Sequence, residues 1–192
     1  MKKKLHSFNA NYQSIAIFCF ALLLNVGLIN GQTELAANGD FETGDDTGWL
    51  LFANGGSAAL DNTAANGGTW SGKLETSGPS NPAFKQERIG AGTVAAGDEV
   101  TVSFDLIGSV VQPGAVFNVL LFGEGAAGAS FTHTLSPAPT LTGSWTTYSA
   151  SYTIPAVDVS EGISFLIETV CGGAPGCSVS ANIDNVTVTL NP

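Results

Sequence analysis

Short apolar runs separated by clusters of Gly, Pro, Asn and Asp dominate the chain from residue 48 onward. In the run 100–107, apolar and polar side chains alternate, which is the pattern of a strand with one buried face. The run 115–122 is apolar almost throughout, with Asn118 as the exception, which is typical of a strand deep in a sheet. Helical periodicity is nearly absent. The predicted strands span residues 48–53, 57–62, 71–76, 83–89, 100–107, 115–122, 129–135, 144–154, 163–170 and 179–190.

This number of short strands predicts an all-β fold, a two-sheet β-sandwich with jelly-roll topology. In such a fold the first and last strands lie close together. The composition agrees, because only 11% of the 192 residues are charged and 24 are Gly. The length favours a single domain with a substantial core, which we place at residues 34–190.

Residues 1–31 have the pattern of a secretory signal peptide. Lys2, Lys3 and Lys4 precede an apolar run at 15–24, and cleavage is expected close to Gly31 or Gln32. The alternative is a membrane anchor, but the apolar run is shorter than a full membrane span. We therefore expect a secreted or periplasmic protein with no membrane span in the mature chain.

Removal of this segment would leave a strongly acidic protein. Three basic residues (Lys73, Lys85 and Arg88) would face sixteen acidic ones, which gives a net charge of −13. Such a surface repels nucleic acid and anionic membranes. It suits a neutral ligand and a bound divalent cation.

Two cysteines remain in the mature chain, Cys171 and Cys177, in the sequence Cys-Gly-Gly-Ala-Pro-Gly-Cys. In an exported protein this pair is expected to form a disulfide that closes a loop. The alternative is a two-thiolate metal site, which needs more ligands than this segment offers.

Acidic residues occur among apolar ones near both ends of the domain. The stretches 38–44 and 182–190 both have a strand-like pattern, in which Asp40 and Glu42 would share one face. Asp184 lies between Ile183 and Val186, where an unpaired carboxylate is costly. A cation held between the first and last strands would satisfy these carboxylates. The alternative is that Glu42 and Asp184 face solvent at a sheet edge.

Four motifs carry a resemblance to a known family. They are Asn38-Gly39-Asp40-Phe41-Glu42 with Gly48-Trp49, Gly67-Gly68 with Ser71-Gly72-Lys73-Leu74, Trp145-Thr146-Thr147-Tyr148 leading into Tyr152-Thr153-Ile154-Pro155, and Ile183-Asp184-Asn185-Val186. Together they resemble the calcium-containing jelly-roll carbohydrate-binding modules attached to bacterial glycanases, which bind cellulose, xylan or β-1,3-glucan. The match covers essentially the whole mature domain, and the resemblance implies a galactose-binding-domain-like jelly roll.

The resemblance implies a structural Ca²⁺. By analogy with the family, its ligands here would be the Asp40 carbonyl, the Glu42 side chain, the Lys73 carbonyl and the Asp184 carboxylate. All four are hard oxygen ligands of the kind that Ca²⁺ requires.

The resemblance also implies a glycan ligand, bound across a sheet or at loop tips. Sugars need flat apolar platforms and planar hydrogen-bonding groups. The candidate ligand-binding residues are Trp70, Phe84, Gln86, Arg88, Asn118 and Glu168. Phe84, Gln86 and Arg88 would form a stripe on one strand face, and the alternative for that strand is an edge position in which Arg88 pairs with an acid. Trp70 could instead be partly buried.

Three classes of function remain open from the sequence. The first is a non-catalytic binder of a neutral polysaccharide, such as a β-glucan or xylan, that brings the glycan to the cell or to a separate glycan-degrading enzyme. The second is a structural or adhesion module that makes protein contacts. The third is a small polysaccharide lyase or glucanase, which we disfavour because the mature chain has one His, one Arg and no closely spaced catalytic carboxylate motif.

Overall fold

The computed structural model describes residues 31–111 and 114–191. The eleven strands in these residues are β1 (Thr33–Glu34), β2 (Leu50–Phe52), β3 (Ser57–Asp61), β4 (Ser71–Thr76), β5 (Ala83–Ile89), β6 (Glu99–Val111), β7 (Ala115–Gly125), β8 (Gly128–Thr134), β9 (Thr146–Thr153), β10 (Ile163–Cys171) and β11 (Ser178–Asn191). No helix occurs in the described part of the chain. The prediction of an all-β fold is therefore confirmed.

The strands form two antiparallel sheets. The six-stranded sheet has the order β3-β4-β11-β6-β9, with β1 paired to the other end of β11. The five-stranded sheet has the order β2-β5-β10-β7-β8. The two sheets face each other as a jelly-roll sandwich, and the first strand lies beside the last, as predicted. No helix in the described residues is long and apolar enough to cross a membrane.

The core lies between the sheets and follows the alternation of the strands. On β6, Val100, Val102, Phe104 and Leu106 are at most 1% exposed, whereas the residues between them are half-buried. The two ring faces of Phe41 and Trp49 stack at a centroid distance of 5.0 Å at one end of this core. Phe41 and Trp49, the aromatic residues of the first motif, are therefore part of the hydrophobic core.

The stretch 38–44 is not a strand, so that prediction was wrong. Asn38 and Phe41 both have positive φ values, of 48° and 57°, and they produce consecutive turns. These turns bury the Phe41 ring completely. The stretch is still joined to the last strand, because Val186 N donates a hydrogen bond of 2.8 Å to Gly39 O. Gly39 is required here, since a Cβ would lie 1.8 Å from Val186 O.

The predicted disulfide is present between Cys171 and Cys177. It closes the connection from β10 in one sheet to β11 in the other. Gln32–Pro192 forms one compact unit. The predicted signal peptide lies outside the described residues and stays a prediction.

Candidate functional site

The outer face of the five-stranded sheet carries apolar side chains that the core does not use. β7 and β10 are central strands, and both of their faces are largely apolar. Val119 and Leu121 point into the core, so Leu120 and Phe122 lie on the outer face, where they are half-buried. An antiparallel sheet in a sandwich usually has one solvated polar face, so an apolar outer face suggests a binding surface.

Strand register aligns these outer residues in rows across the sheet. Asn118 lies opposite Glu168, and Glu168 lies opposite Ala83, which pairs with Phe52 on the edge strand β2. The next row contains Leu50, Lys85, Leu166, Leu120 and Thr134. The side chains of Leu50 and Phe52 are 43% and 37% exposed. The edge strand therefore places accessible apolar groups beside the polar pair.

Asn118 and Glu168 line a surface cleft of about 590 Å³. The Asn118 Nδ2 atom donates a hydrogen bond of 3.1 Å to Glu168 Oε1. No described residue donates a further hydrogen bond to the second carboxylate oxygen of Glu168. Both side chains are half-buried in a floor that also contains Val116 and Val170. The cleft thus holds an amide and a carboxylate that retain hydrogen-bonding capacity beyond the bond between them.

Lys85 adds a cation to the same face. Its Nζ lies 5.3 Å from the centroid of the Phe122 ring, within range of a cation–π contact, and 2.7 Å from Glu87 Oε1. Neither Lys85, Phe122 nor Phe52 was predicted from the sequence. The continuous apolar run at 115–122 was the available signal, because a strand that is apolar on both faces in an antiparallel sheet needs a cover on each.

Phe84 and Gln86 do not contribute to this surface, so their assignment to ligand binding was wrong. Phe84 is fully buried in contact with Phe41 and Trp49. Gln86 is 1% exposed, and its amide both donates to Ala37 O (2.6 Å) and accepts from Ala37 N (3.0 Å). Gln86 therefore fixes the N-terminal segment to β5.

A β-bulge separates Arg88 from the other two residues of the predicted stripe. The register passes from Phe165–Gln86 to Ile163–Ile89, so β5 has one extra residue there. Arg88 has a φ of 53°, and its exposed guanidinium pairs with Glu161 Oε2 at 3.1 Å. The alternative that Arg88 pairs with a nearby acid is the one observed.

Trp70 lies in a different part of the molecule, just before β4 of the six-stranded sheet. Its side chain is half-buried and packs partly against the core. The structure therefore brings Asn118 and Glu168 together but separates both from Trp70.

A cluster of three carboxylates lies near Trp70, where loop 62–70 crosses β11. Glu42 Oε1 accepts hydrogen bonds of 2.7 Å from the backbone N–H groups of both Thr69 and Trp70. Asp184 is 1% exposed, and its two oxygens accept from Asn66 N and Asn185 N, each at 2.7 Å. The third member is Asp105, opposite Asp184 in the sheet register. We call Glu42, Asp105 and Asp184 the acidic cluster.

Burial raises the pKa of the Asp184 carboxyl above its ordinary value of 3.8. The N–H donors of Asn66 and Asn185 oppose this effect, and the charges of Glu42 and Asp105 add to it. None of the ion pairs among the described residues includes Asp184. Asp184 is thus a buried acid whose charged neighbours are also acids, which is the electrostatic environment that a cation would stabilise.

The other two predicted calcium ligands, the carbonyl groups of Asp40 and Lys73, have less support from the structure. Asp40 is exposed, and its Oδ1 accepts a hydrogen bond from Glu42 N (3.3 Å). Lys73 pairs in register with Asn182, two residues before Asp184, and its ammonium group contacts Glu75 at 3.0 Å. Among the described residues, no group of three or more His, Cys, Asp and Glu side chains is placed so that it could hold a metal ion. The donor chemistry of Glu42 and Asp184 fits Ca²⁺, and backbone carbonyls would have to complete the set.

The comparisons with known proteins agree with this architecture. Residues 33–171 match the family model CBM_4_9, described as a carbohydrate binding domain. No curated protein matches the chain significantly. Because the match covers more than half of the chain, this protein belongs to that family of carbohydrate binding domains.

Solved structures with the same fold include three carbohydrate-binding modules. The CBM22-1 xylan-binding domain of Xyn10C from Paenibacillus barcinonensis has a TM-score of 0.52 at 14% identity, over 84% of this chain and 94% of its own. A family 16 carbohydrate binding module has a TM-score of 0.54 at 22% identity, over 80% and 98%. TmCBM61, solved with β-1,4-galactotriose, has a TM-score of 0.52 at 17% identity, over 81% and 97%. At these identities the likeness defines the fold alone.

Proposed function

We propose that this chain is a secreted, non-catalytic domain that binds a neutral polysaccharide on the outer face of its five-stranded sheet. The observation that carries the proposal is the Asn118–Glu168 pair in the floor of the cleft, in a row that ends at the exposed Phe52 ring. Amide and carboxylate groups hydrogen-bond sugar hydroxyls, and aromatic faces pack on pyranose rings. Family membership supports a carbohydrate as the ligand.

Charge supports a neutral glycan over an acidic one. The sixteen acidic residues of the chain all lie after residue 31, together with only three basic residues. Of those three cations, Lys73 and Lys85 each contact a glutamate, and Arg88 contacts Glu161. A polyanionic glycan would therefore meet strong repulsion with little local compensation.

The lining of the cleft supports binding without catalysis. Glycoside hydrolysis needs two carboxyl groups that flank the scissile bond. Glu168 is the one carboxylate among the described residues that line the cleft, and it is hydrogen-bonded to Asn118. A domain of this kind would concentrate glycan at the cell or beside a separate glycan-degrading enzyme.

Affinity electrophoresis on xylan, laminarin and β-1,4-galactan, followed by a product assay, tests the proposal. We expect retention on at least one neutral glycan and no new reducing or unsaturated ends. Glu168→Gln and Phe52→Ala should each weaken retention at least about tenfold, whereas Glu99→Gln, on the six-stranded sheet, should not. No retention on any glycan would contradict the proposal, and products would indicate a lyase or glucanase.

A protein-contact module is the second candidate. Val110, Val111 and Val116 are 39%, 51% and 47% exposed, so three apolar side chains near the end of β6 and the start of β7 are accessible to a partner. If the domain binds no glycan but self-associates or is captured by a protein of the same cell surface, and Val111→Ser abolishes that association, the second candidate replaces the first.

We also propose that the acidic cluster binds a structural Ca²⁺ through Glu42 and Asp184. The support is the buried position of Asp184 next to two other carboxylates, at the point where the opening turns meet the last strand. A bound ion would supply charge neutralisation and join both ends of the domain. Calcium would then stabilise the fold in proportion to its occupancy.

A further inference from the structure

A second pocket, of about 280 Å³, adjoins the proposed glycan cleft. It lies beside the end of β6, the start of β7 and the connection from β8 to β9. Val116 and Asn118 line both the cleft and this pocket. A polysaccharide in the cleft would therefore have one of its side groups at the mouth of the pocket.

The lining of this pocket differs in chemistry from that of the cleft. Its walls are formed by Val110, Val116, Phe117, Pro139 and Leu141, among other small or apolar residues. Among the described residues of its lining none is charged, and Asn118 and Thr140 alone have polar side chains.

These properties exclude a further sugar ring as the best occupant. A pyranose carries several hydroxyl groups, and each would lose hydrogen bonds to water with few partners in this pocket. An acetyl group would leave most of the space unfilled. An aromatic ring fits better, because a cavity of about 150 Å³ already accommodates benzene. The remaining volume is suited to the linker that connects such a ring to the sugar.

We infer that the polysaccharide recognised by this domain carries aromatic acyl esters, and that the apolar pocket between Val110 and Leu141 binds the aromatic acyl group. This inference rests on the proposed glycan-binding function, since the cleft would hold the sugar chain. Asn118, at the boundary, can donate to the ester oxygen or to the adjoining sugar. The pocket would make the domain selective for decorated over undecorated segments of the same glycan.

Two glycan preparations test this selectivity. They are a feruloylated arabinoxylan fraction and the same fraction after saponification, which removes the ester groups and leaves the neutral chain. The esterified fraction should bind at least about tenfold more tightly, because an aromatic ring is buried only in that complex. Equal affinity for the two fractions, both measurable, would overturn the inference while leaving the glycan-binding function intact.

Two neighbouring valines on β6 provide a matched pair of variants. Val110→Ser changes the pocket, whereas Val111→Ser changes a more exposed valine that does not line it. Val110→Ser should reduce the affinity for the esterified fraction to that for the saponified one, and Val111→Ser should keep the preference. A preference that survives Val110→Ser would contradict the assignment. Melting curves of both variants verify that they fold.

Methyl ferulate, the ester without any sugar, separates the pocket from the cleft. It should shift the amide resonances of Val110 and Leu141 in ¹H–¹⁵N spectra, and less so in Val110→Ser. If the domain binds no polysaccharide at all, the proposed glycan-binding function is wrong. Methyl ferulate then still tests whether the pocket binds an aromatic ester. The absence of any shift at these residues would then overturn the inference as well.

Discussion

Glu42→Gln should remove the calcium response of this domain without disturbing the structure around it. The Oε1 atom of Glu42 accepts both backbone hydrogen bonds, from Thr69 and Trp70, whereas Oε2 accepts none from the described residues. A glutamine at this position can keep Oε1 as the acceptor and place its NH₂ group where Oε2 was. The substitution therefore removes the negative charge and one metal-ligating oxygen but preserves the two hydrogen bonds.

The sign of the effect depends on whether calcium is present. In chelator, Glu42→Gln removes a negative charge that repels the Asp184 carboxylate and raises its pKa. The loss of this repulsion stabilises the variant, and it offsets the weaker hydrogen bonds that a neutral acceptor makes. We expect the two proteins to differ by less than about 1 kcal/mol under that condition. At a free calcium concentration of 100 times Kd, the wild-type protein should gain about 2.7 kcal/mol. For a domain of this size, such a gain corresponds to a rise in Tm of about 5–11 °C.

Differential scanning fluorimetry or calorimetry in EDTA and in a calcium series measures this response. Glu42→Gln should show less than about a third of the wild-type rise in Tm. Asp158→Asn is the control, because Asp158 is an exposed loop residue outside the acidic cluster and its loss should leave the full response. A wild-type Tm that is indifferent to both chelator and calcium would refute the metal assignment, as would an unchanged response in Glu42→Gln.

The remaining predictions concern the fold around the proposed site. Gln86→Ala should lower the stability by about 1–3 kcal/mol, because a buried amide with two backbone hydrogen bonds is lost, and it should leave glycan affinity unchanged in a binding titration. Asp61 is partly desolvated, which raises its pKa, but hydrogen bonds from Thr63 and Asn182 hold the pKa below 3.8 in the folded state. Its stabilising effect is therefore complete above the unfolded pKa and is lost as the pH falls through the folded pKa. In denaturant titrations Asp61→Asn should be less stable than the wild type at pH 7, and the difference should shrink as the pH is lowered below 3.8. Reduction of the disulfide opens a short loop and should cost about 2 kcal/mol in the same titrations, whereas a cost near zero would contradict its stabilising role.

The strands were predictable because their apolar patterns report local backbone geometry. Residues 100–106 alternate strictly, and they form the central part of β6 with their apolar side chains in the core. The prediction of a strand at 38–44 was wrong because its backbone conformation does not follow from the side-chain pattern. Asn38 and Phe41 adopt positive φ values. The packing of Phe41 against Trp49 and the hydrogen bonds of the Asn38 amide with Thr43 and Thr47 stabilise this conformation, and a period-two pattern of side chains does not reveal it.

The predicted sugar-binding stripe was wrong for two reasons: the bulge in β5 separates Arg88 from the other two residues, and Phe84 and Gln86 face the core. Period-two alternation places Phe84, Gln86 and Arg88 on one face, but the bulge in β5 interrupts it before Arg88. Phe84 and Gln86 do share a face of β5, but it is the inner face, which packs on the core. The sequence does not state which of the two faces of a strand is buried. That choice depends on the neighbouring strands, which are distant along the chain.

Asn118 and Glu168 were the candidates that the structure brings together, and both interrupt apolar strands. Each lies on a central strand of the five-stranded sheet, so the register of β7 and β10 alone determines that they meet. Their neighbours on the outer face, Leu120 and Leu166, are apolar and also pair in register. A polar pair in an otherwise apolar outer row costs stability unless the pair is hydrogen-bonded and the row is covered. The hydrogen bond is present, and a bound glycan would supply the cover: pyranose faces against the apolar rows and hydroxyls against Asn118 and Glu168.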